Sequence, residues 1–398
     1  MSSPPGAFAR ELAALDLPAL ARRAAHASLA DVAGALSRLG ADAAAGPTGR
    51  ARPSRRGPGG TQADLADLAA LLSPAALGRL EEIATAARAL TLRRFGRAVR
   101  LFAPLYVSNA CLSSCTYCGF AKGLAVTRRT LSVDEAEAEA RLLAGRGFRH
   151  LLLVAGEHRI EVSADYLVEV VTRLRPLFPS LSIETQTWSD DTYARLVAAG
   201  LEGVVHYQET YDRARYAQVH VAGWKRDYDR RLSSFERAAA AGARRLGMGA
   251  LLGLAADWRA DVLALAAHAE FGARRFWGTE ISLSLPRIRP SASGFPPLVE
   301  VSDAEFVLAH AALRLFAPDA GLSLSTREPA PLRDGLARIA VTMMSAGSST
   351  EPGGYSAPGE AQEQFATADE REPAEVAAML VAAGYEPVWR DAFPLVEG

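Results

Sequence analysis

V-R-L-F-A-P-L-Y-V-S-N-A-C-L-S-S-C-T-Y-C-G-F, Val99 to Phe120, opens as an apolar run and ends in a loop that carries all three cysteines of the 398-residue chain. Cys111, Cys115 and Cys118 stand at C-x3-C-x2-C. Thiolates at this spacing can hold three irons of a cubic 4Fe-4S cluster, which leaves the fourth iron open to a small molecule able to bind and receive an electron. A structural zinc site wants a fourth protein ligand and commonly a second paired motif, and the sequence has no second cysteine pair. The odd count and tight packing also argue against disulfides and for a reducing compartment.

Outward from this stretch, short apolar runs alternate with amphipathic segments. The runs are Val99–Val107, His150–Ala155, Leu181–Thr187, Gly203–Glu209, Leu246–Leu254, Glu280–Leu285, Leu322–Thr326 and Ala340–Ser345. Helical stretches lie between them: Val133–Gly145, Ala164–Leu177, Asp190–Ala199, Arg230–Ala241, Trp258–Gly272, Asp303–Phe316 and Pro331–Ala337. Such alternation predicts parallel pairing with right-handed crossovers. Eight runs suggest an α/β fold of the closed (β/α)8 type, with Met-Met-Ser-Ala-Gly the least distinct strand. In such barrels chemistry sits where strands end and loops begin, which is where the cysteine loop falls.

Residues 1–96 read as an N-terminal helical extension, 97–349 as the barrel and 350–398 as a C-terminal extension packed on it. The first part is Ala-rich, with Leu12, Leu15, Leu17 and Leu20 at helical spacing, and helices resume from Gln62 to about Gly96. Between them, Gly46 to Gly60 is dense in Pro, Gly and Arg and reads as a mobile linker, with Arg50, Arg52, Arg55 and Arg56 in solvent or against an acidic partner. The tail holds a Gly-Gly turn, a helix near Glu375–Ala383 and a final P-V-W-R-D strand.

Hydrophobic content of 49% supports a sizeable core, and 44 basic against 45 acidic residues give a formal net charge of −1. That balance asks for neither nucleic acid nor an anionic membrane as partner. No apolar run reaches bilayer-spanning length, and the N-terminal M-S-S-P-P-G-A-F-A-R-E-L lacks the apolar stretch of a secretion signal, so a cytoplasmic enzyme is expected.

C-x3-C-x2-C after the first strand of this alternation resembles the radical S-adenosylmethionine superfamily. Further motifs, in order, narrow the resemblance: H-L-L-L-V-A-G-E-H, Y-Q-E-T-Y, G-A-L-L-G-L-A-A-D-W-R, L-P-R-I-R-P, L-S-L-S-T-R-E and P-G-G-Y. Together they resemble the tyrosine lyases, or 2-iminoacetate synthases, of bacterial thiamine biosynthesis, over about residues 62 to 391. The Pro/Gly/Arg segment is a departure from that pattern. The resemblance implies a 4Fe-4S cluster that binds S-adenosyl-L-methionine and yields a 5′-deoxyadenosyl radical. The radical takes a hydrogen from the amino group of L-tyrosine, and the Cα–Cβ bond breaks to give 2-iminoacetate and p-cresol. It also implies thiazole synthase as protein partner and flavodoxin or ferredoxin as electron donor.

The resemblance, together with position at strand ends, suggests roles. Tyr117 and Phe120 would contact the adenine, or pack the loop. Gly156 and Glu157, ending the second strand, would receive the amino group of the methionine moiety; Gly allows close backbone approach there. Glu209 would pair with an arginine one helix later, Arg231 or its neighbour Arg230, and orient the S-adenosylmethionine. Tyr106 would contact the substrate's amino end, or pack the core. Arg327 would hold the substrate carboxylate and Ser345 the amino group, since a buried zwitterion needs partners. Arg287 and Arg289 are reserves, in a loop that Pro286 and Pro290 also make rigid. His158 would move a proton near the substrate. His206 and His220 read as structural, and Trp224, Trp258 and Trp277 as packing anchors.

Competing readings are a lyase for tryptophan or another aromatic amino acid, the hydrogenase-maturation tyrosine lyase, and a non-catalytic metal-binding or sensory module. The second needs a C-terminal cysteine motif for another cluster, and residues 119–398 contain no cysteine. Functional groups at several strand ends argue against the third.

Overall fold

The computed structural model describes residues 6–44 and 58–390. Eight strands form the centre: Ala98–Ser108 (β1), His150–Ala155 (β2), Ser180–Glu184 (β3), Gly203–Glu209 (β4), Arg245–Ala250 (β5), Glu280–Ser284 (β6), Gly321–Leu324 (β7) and Met343–Ser345 (β8). Each pairs in parallel with the next, and β1 pairs with both β8 and β2, so the ring closes as a (β/α)8 barrel. All strands point the same way, so their C-terminal ends and the cysteine loop share one mouth.

Alternation along β1 shows how the sequence builds the wall. Val99, Leu101, Ala103, Leu105 and Val107 are fully buried in the main core between barrel and helices, while Arg100, Phe102 and Tyr106 turn to the interior. Helices start where serines cap them. Ser132 and Ser302 each accept the backbone N–H three residues on, and Glu135 and Glu305 reach back to complete capping boxes.

The helices Ala7–Ala14, Leu17–His26, Leu29–Ala44, Pro58–Leu71 and Leu80–Phe95 precede the barrel. The first is pinned by Glu236, whose carboxylate accepts the N–H groups of Ala7 (3.0 Å) and Phe8 (3.1 Å), and Phe8 stacks on His268 at 3.9 Å between ring centres. The expected Gly46–Gly60 linker lies outside the described residues except for its last three, which open the helix Pro58–Leu71.

The differences from the sequence expectations have local causes. β3 stops at Glu184 rather than Thr187, because its ladder with β2 ends at the Val154–Glu184 pair. The expected Arg230–Ala241 helix is split into Tyr228–Leu232 and Ser234–Ala240, where the Ser233 hydroxyl donates back to the Asp229 carbonyl at 2.7 Å. Trp258 is buried as expected, but Trp277 is 92% exposed and Trp224 is 47% exposed beneath the Arg159 guanidinium.

After β8 the chain crosses the mouth before forming the helix Pro373–Ala382 and a ninth strand, Glu386–Val388 (β9). The crossing segment is stitched down by backbone bonds from Gly119 to Gln364, Gln362 to Thr127, Ala366 to Pro290 and Ala368 to Thr326. A buried Arg333–Asp369 ion pair anchors its far end. β9 pairs in parallel with the first residues of β1, Ala98 to Arg100.

Candidate active site

A cavity opens at the C-terminal mouth of the barrel. Its lining includes Cys111, Cys115, Cys118, Tyr117, Phe120, Gly156, Glu157, Glu209, Arg231 and Arg327, ten of the thirteen residues singled out from sequence. The cysteine loop is held from several sides. The Arg128 guanidinium donates to the carbonyls of Asn109 (2.7 Å), Phe120 (2.8 Å) and Ala121 (2.7 Å). Leu112 N–H donates to the Glu157 carbonyl at 2.8 Å, and Cys115 forms a β-bridge with His220. Gly156 lies so close to the loop that a Cβ there would stand 2.3 Å from the Ala110 carbonyl oxygen.

The three thiols suit an iron–sulfur cluster by their surroundings. Ser113 N–H lies 3.4 Å from the Cys111 sulfur and Phe120 N–H 3.4 Å from that of Cys118, with the Gln364 amide nitrogen at 3.8 Å from the latter. Such donors favour thiolates. Burial, reinforced by neighbouring thiols and carboxylates, pushes the thiols up, Cys111 to about 12, so they become thiolates only against a bound cation. Among the described residues no three His, Cys, Asp or Glu are grouped tightly enough to hold a single metal ion.

Charge pairing departs from the expectation. Glu209 receives not Arg231 but Lys225, whose Nζ stands 2.7 Å from Oε1, while Arg231 lies 3.5 Å from Glu157. Arg231 also donates to the Tyr207 carbonyl at 3.0 Å, whereas Arg230 turns to Thr187. Arg231 is therefore the arginine of this pair that faces the cavity. Burial works most strongly against the Lys225 ammonium, but Glu209 together with Cys115 and Glu157 outweighs it and lifts Lys225 above its ordinary value. Glu209 is the one non-glycine among the described residues with positive φ (70°), at a bulge in the β4–β5 ladder. A left-handed glutamate at a strand end is strain held in place by its surroundings.

Three candidates do not line the cavity. Tyr106 stands just behind it, packed with Phe120 and Val154, and its hydroxyl donates to the Gln364 side-chain oxygen at 2.8 Å. The Ser345 hydroxyl oxygen accepts the Thr326 N–H at 3.2 Å, so this serine braces β8 against the loop after β7. The His158 ring accepts the Glu161 N–H at 3.1 Å and serves its own turn. Arg287 is bound to Glu328 and Asp303, whereas Arg289 reaches the lining. His220 is structural but adjacent: its Nε2 meets the Tyr117 hydroxyl at 2.8 Å and so fixes that ring.

The site also uses residues that sequence reasoning passed over: Glu184, Lys225, Tyr207, Gln364 and Phe365. An acid at a strand's C-terminal end points to Glu157, and the same signal applies to Glu184, where β3 ends.

Comparison with known proteins agrees with this geometry. Residues 105–266 match the profile of the radical SAM superfamily, and residues 284–386 that of the biotin and thiamin synthesis associated domain. The 2-iminoacetate synthase of Escherichia coli (strain K12) is 43% identical over 325 residues, covering 82% of this chain and 86% of that protein. The chain belongs to the 2-iminoacetate synthase family. The enzyme of that name from Salmonella typhimurium matches equally well, at 43% over the same shares. Among solved structures, the FeFe-hydrogenase maturase HydG superposes with a TM-score of 0.83 at 29% identity, covering 94% of this chain and 80% of that one. Membership makes the protein a radical SAM enzyme, with a 4Fe-4S cluster and S-adenosyl-L-methionine as cofactors and Cys111, Cys115 and Cys118 as the sulfurs available to the cluster.

Proposed function

We propose that the protein cleaves the Cα–Cβ bond of L-tyrosine to 2-iminoacetate and p-cresol, with 5′-deoxyadenosine and methionine as co-products, and so supplies the thiazole ring of thiamine. The observation that carries this reading is the meeting, in one cavity, of three cysteine sulfurs and the Arg327 guanidinium, which has no hydrogen-bond partner among the described residues. When bound, the cluster supplies the electron that opens the C5′–S bond of S-adenosylmethionine.

This chain's residues supply the rest. Cys111, Cys115 and Cys118 hold the cluster. Glu157, backed by Arg231 and by the Ser113 hydroxyl at 2.8 Å, takes the methionine ammonium, and Gly156 keeps the backbone clear. Tyr117 and Phe120 flank the nucleoside. Arg327, poised 3.4 Å over the Phe365 ring, receives the substrate carboxylate through its paired N–H groups. Phe365 and Gln364, brought by the crossing segment, shield the mouth from water that would hydrolyse the imine.

Thiazole synthase is the proposed acceptor of the imine, and flavodoxin or ferredoxin the electron donor, in the cytoplasm. No helix of the described residues is long and apolar enough to cross a membrane. Reconstituted, reduced protein incubated anaerobically with S-adenosylmethionine and tyrosine should release 5′-deoxyadenosine and p-cresol together. Deoxyadenosine without p-cresol would remove tyrosine as substrate, and a parallel incubation with tryptophan would then identify the alternative lyase.

A further inference from the structure

The charges lining the cavity do not cancel internally. The cations are Lys225, Arg231, Arg289 and Arg327, and the carboxylates are Glu157, Glu184 and Glu209. Lys225 pairs with Glu209 and Arg231 with Glu157. Glu184 has no hydrogen bond or ion pair among the described residues. Arg327 has no side-chain acceptor there either, and the Nε of Arg289 is buried without one. One open anion and two open cations therefore line the cavity, and Glu184 with either arginine makes the complement of an α-amino acid zwitterion.

Glu184 is also placed for it. It ends β3 at the level of Val154 on β2, which is in register with Tyr106 on β1. The residues expected to receive the amino group are otherwise engaged: Ser345 with the Thr326 N–H outside the cavity, and Tyr106 with Gln364.

Resting on the reading of the site as an amino-acid lyase, we propose that Glu184 receives the substrate ammonium and, as its base, removes one proton from it. The N–H electron pair stays on nitrogen, the proton passes to a carboxylate oxygen, and no electron is gained or lost. A neutral amine then presents one of its two remaining N–H bonds to the deoxyadenosyl radical. Arg327 holds the carboxylate of the same substrate, so the nitrogen is fixed from two sides.

Burial, reinforced by Glu209, lifts the Glu184 carboxyl to about 7 against Arg231, Lys225 and Arg327. Tyr106 and Tyr207 also face it, and burial holds both phenols above their ordinary value, so neither competes as an acid near neutrality. A base of this strength suits proton removal near neutral pH.

The test compares L-tyrosine with 3-(4-hydroxyphenyl)propionate, which lacks only the amino group, in binding to the S-adenosylmethionine-loaded, unreduced holoenzyme. The wild-type protein should prefer tyrosine by about tenfold or more, the value of a charged hydrogen bond. That preference should fall as pH drops from about 8 to about 6, because the carboxylate is protonated in that window. Glu184→Gln should bind the two compounds alike, keep its iron and its S-adenosylmethionine affinity, still form 5′-deoxyadenosine, and lose p-cresol formation by about 100-fold. A wild-type preference that does not change with pH, or a Gln variant that keeps both preference and p-cresol output, overturns the role of Glu184 alone. A wild-type enzyme that makes no p-cresol overturns the parent reading instead.

Discussion

Lys225 and Glu209 meet with side chains only 14% and 10% exposed, so each charge depends on the other for its solvation. Removing one partner strands the other. Lys225→Met should lower unfolding free energy by about 3 kcal/mol in a denaturant titration, and Lys225→Met with Glu209→Gln should recover most of it. An additive double variant would show that the pair is not coupled. At Gly156 the constraint is steric: the backbone oxygen of Ala110 cannot yield as a flexible side chain would. Gly156→Ala should leave the circular dichroism spectrum unchanged and sharply lower the iron retained per chain, because the cysteine loop must move. Both residues differ in how openly the sequence shows them. Gly156 and Glu157 follow an apolar run that stops at them, so their place at a strand end is legible. Lys225 sits in a loop fixed by the Cys115–His220 bridge and by Ser114 and Val221 bonding across it, contacts about a hundred residues apart in sequence with no local signature.

At the level of elements, the barrel was readable because its strands carry a regular apolar face and several of its helices begin at serine caps, both local properties. Strand ends were less so. β3 has no Gly or Pro to stop it before Trp188, and its end depends on where the neighbouring ladder ceases, which hid Glu184 inside a run. The cysteine loop illustrates an element held by one side chain: the Arg128 fork spans the carbonyls of Asn109, Phe120 and Ala121. A lysine cannot reproduce that fork. Arg128→Lys should therefore fold with a near-normal melting temperature yet release iron to a chelator several times faster than wild type; equal release rates would count against the clamp.

For the whole molecule, acid is the sharpest probe. Burial holds His206 well below its ordinary value and lowers His220 to about 2, His268 to about 3 and His310 to about 4. These rings stay neutral when folded but take protons when unfolded below about pH 6.5, so their stabilisation is present above that pH and is lost as pH falls. Burial raises Asp261 and Glu184 to about 7, and these two carboxyls act in the opposite sense between about pH 7 and about pH 4. Four groups against two leave a net loss of about 3 kcal/mol per pH unit between about pH 6 and about pH 4.5. A denaturation midpoint that is flat over this range would contradict the buried, neutral state of the histidines.

The strap across the mouth has a consequence for how the chain is made. Cys118 leaves the ribosome nearly 250 residues before Gln364, and β1 must wait for residues 386–388 before its lower edge is covered. Until synthesis ends, the sulfur loop has no roof and the first strand keeps an open flank. A chain that lacked residues 362–388 would leave the sulfur loop without its contacts to Gln362 and Gln364 and the start of β1 without its outer neighbour.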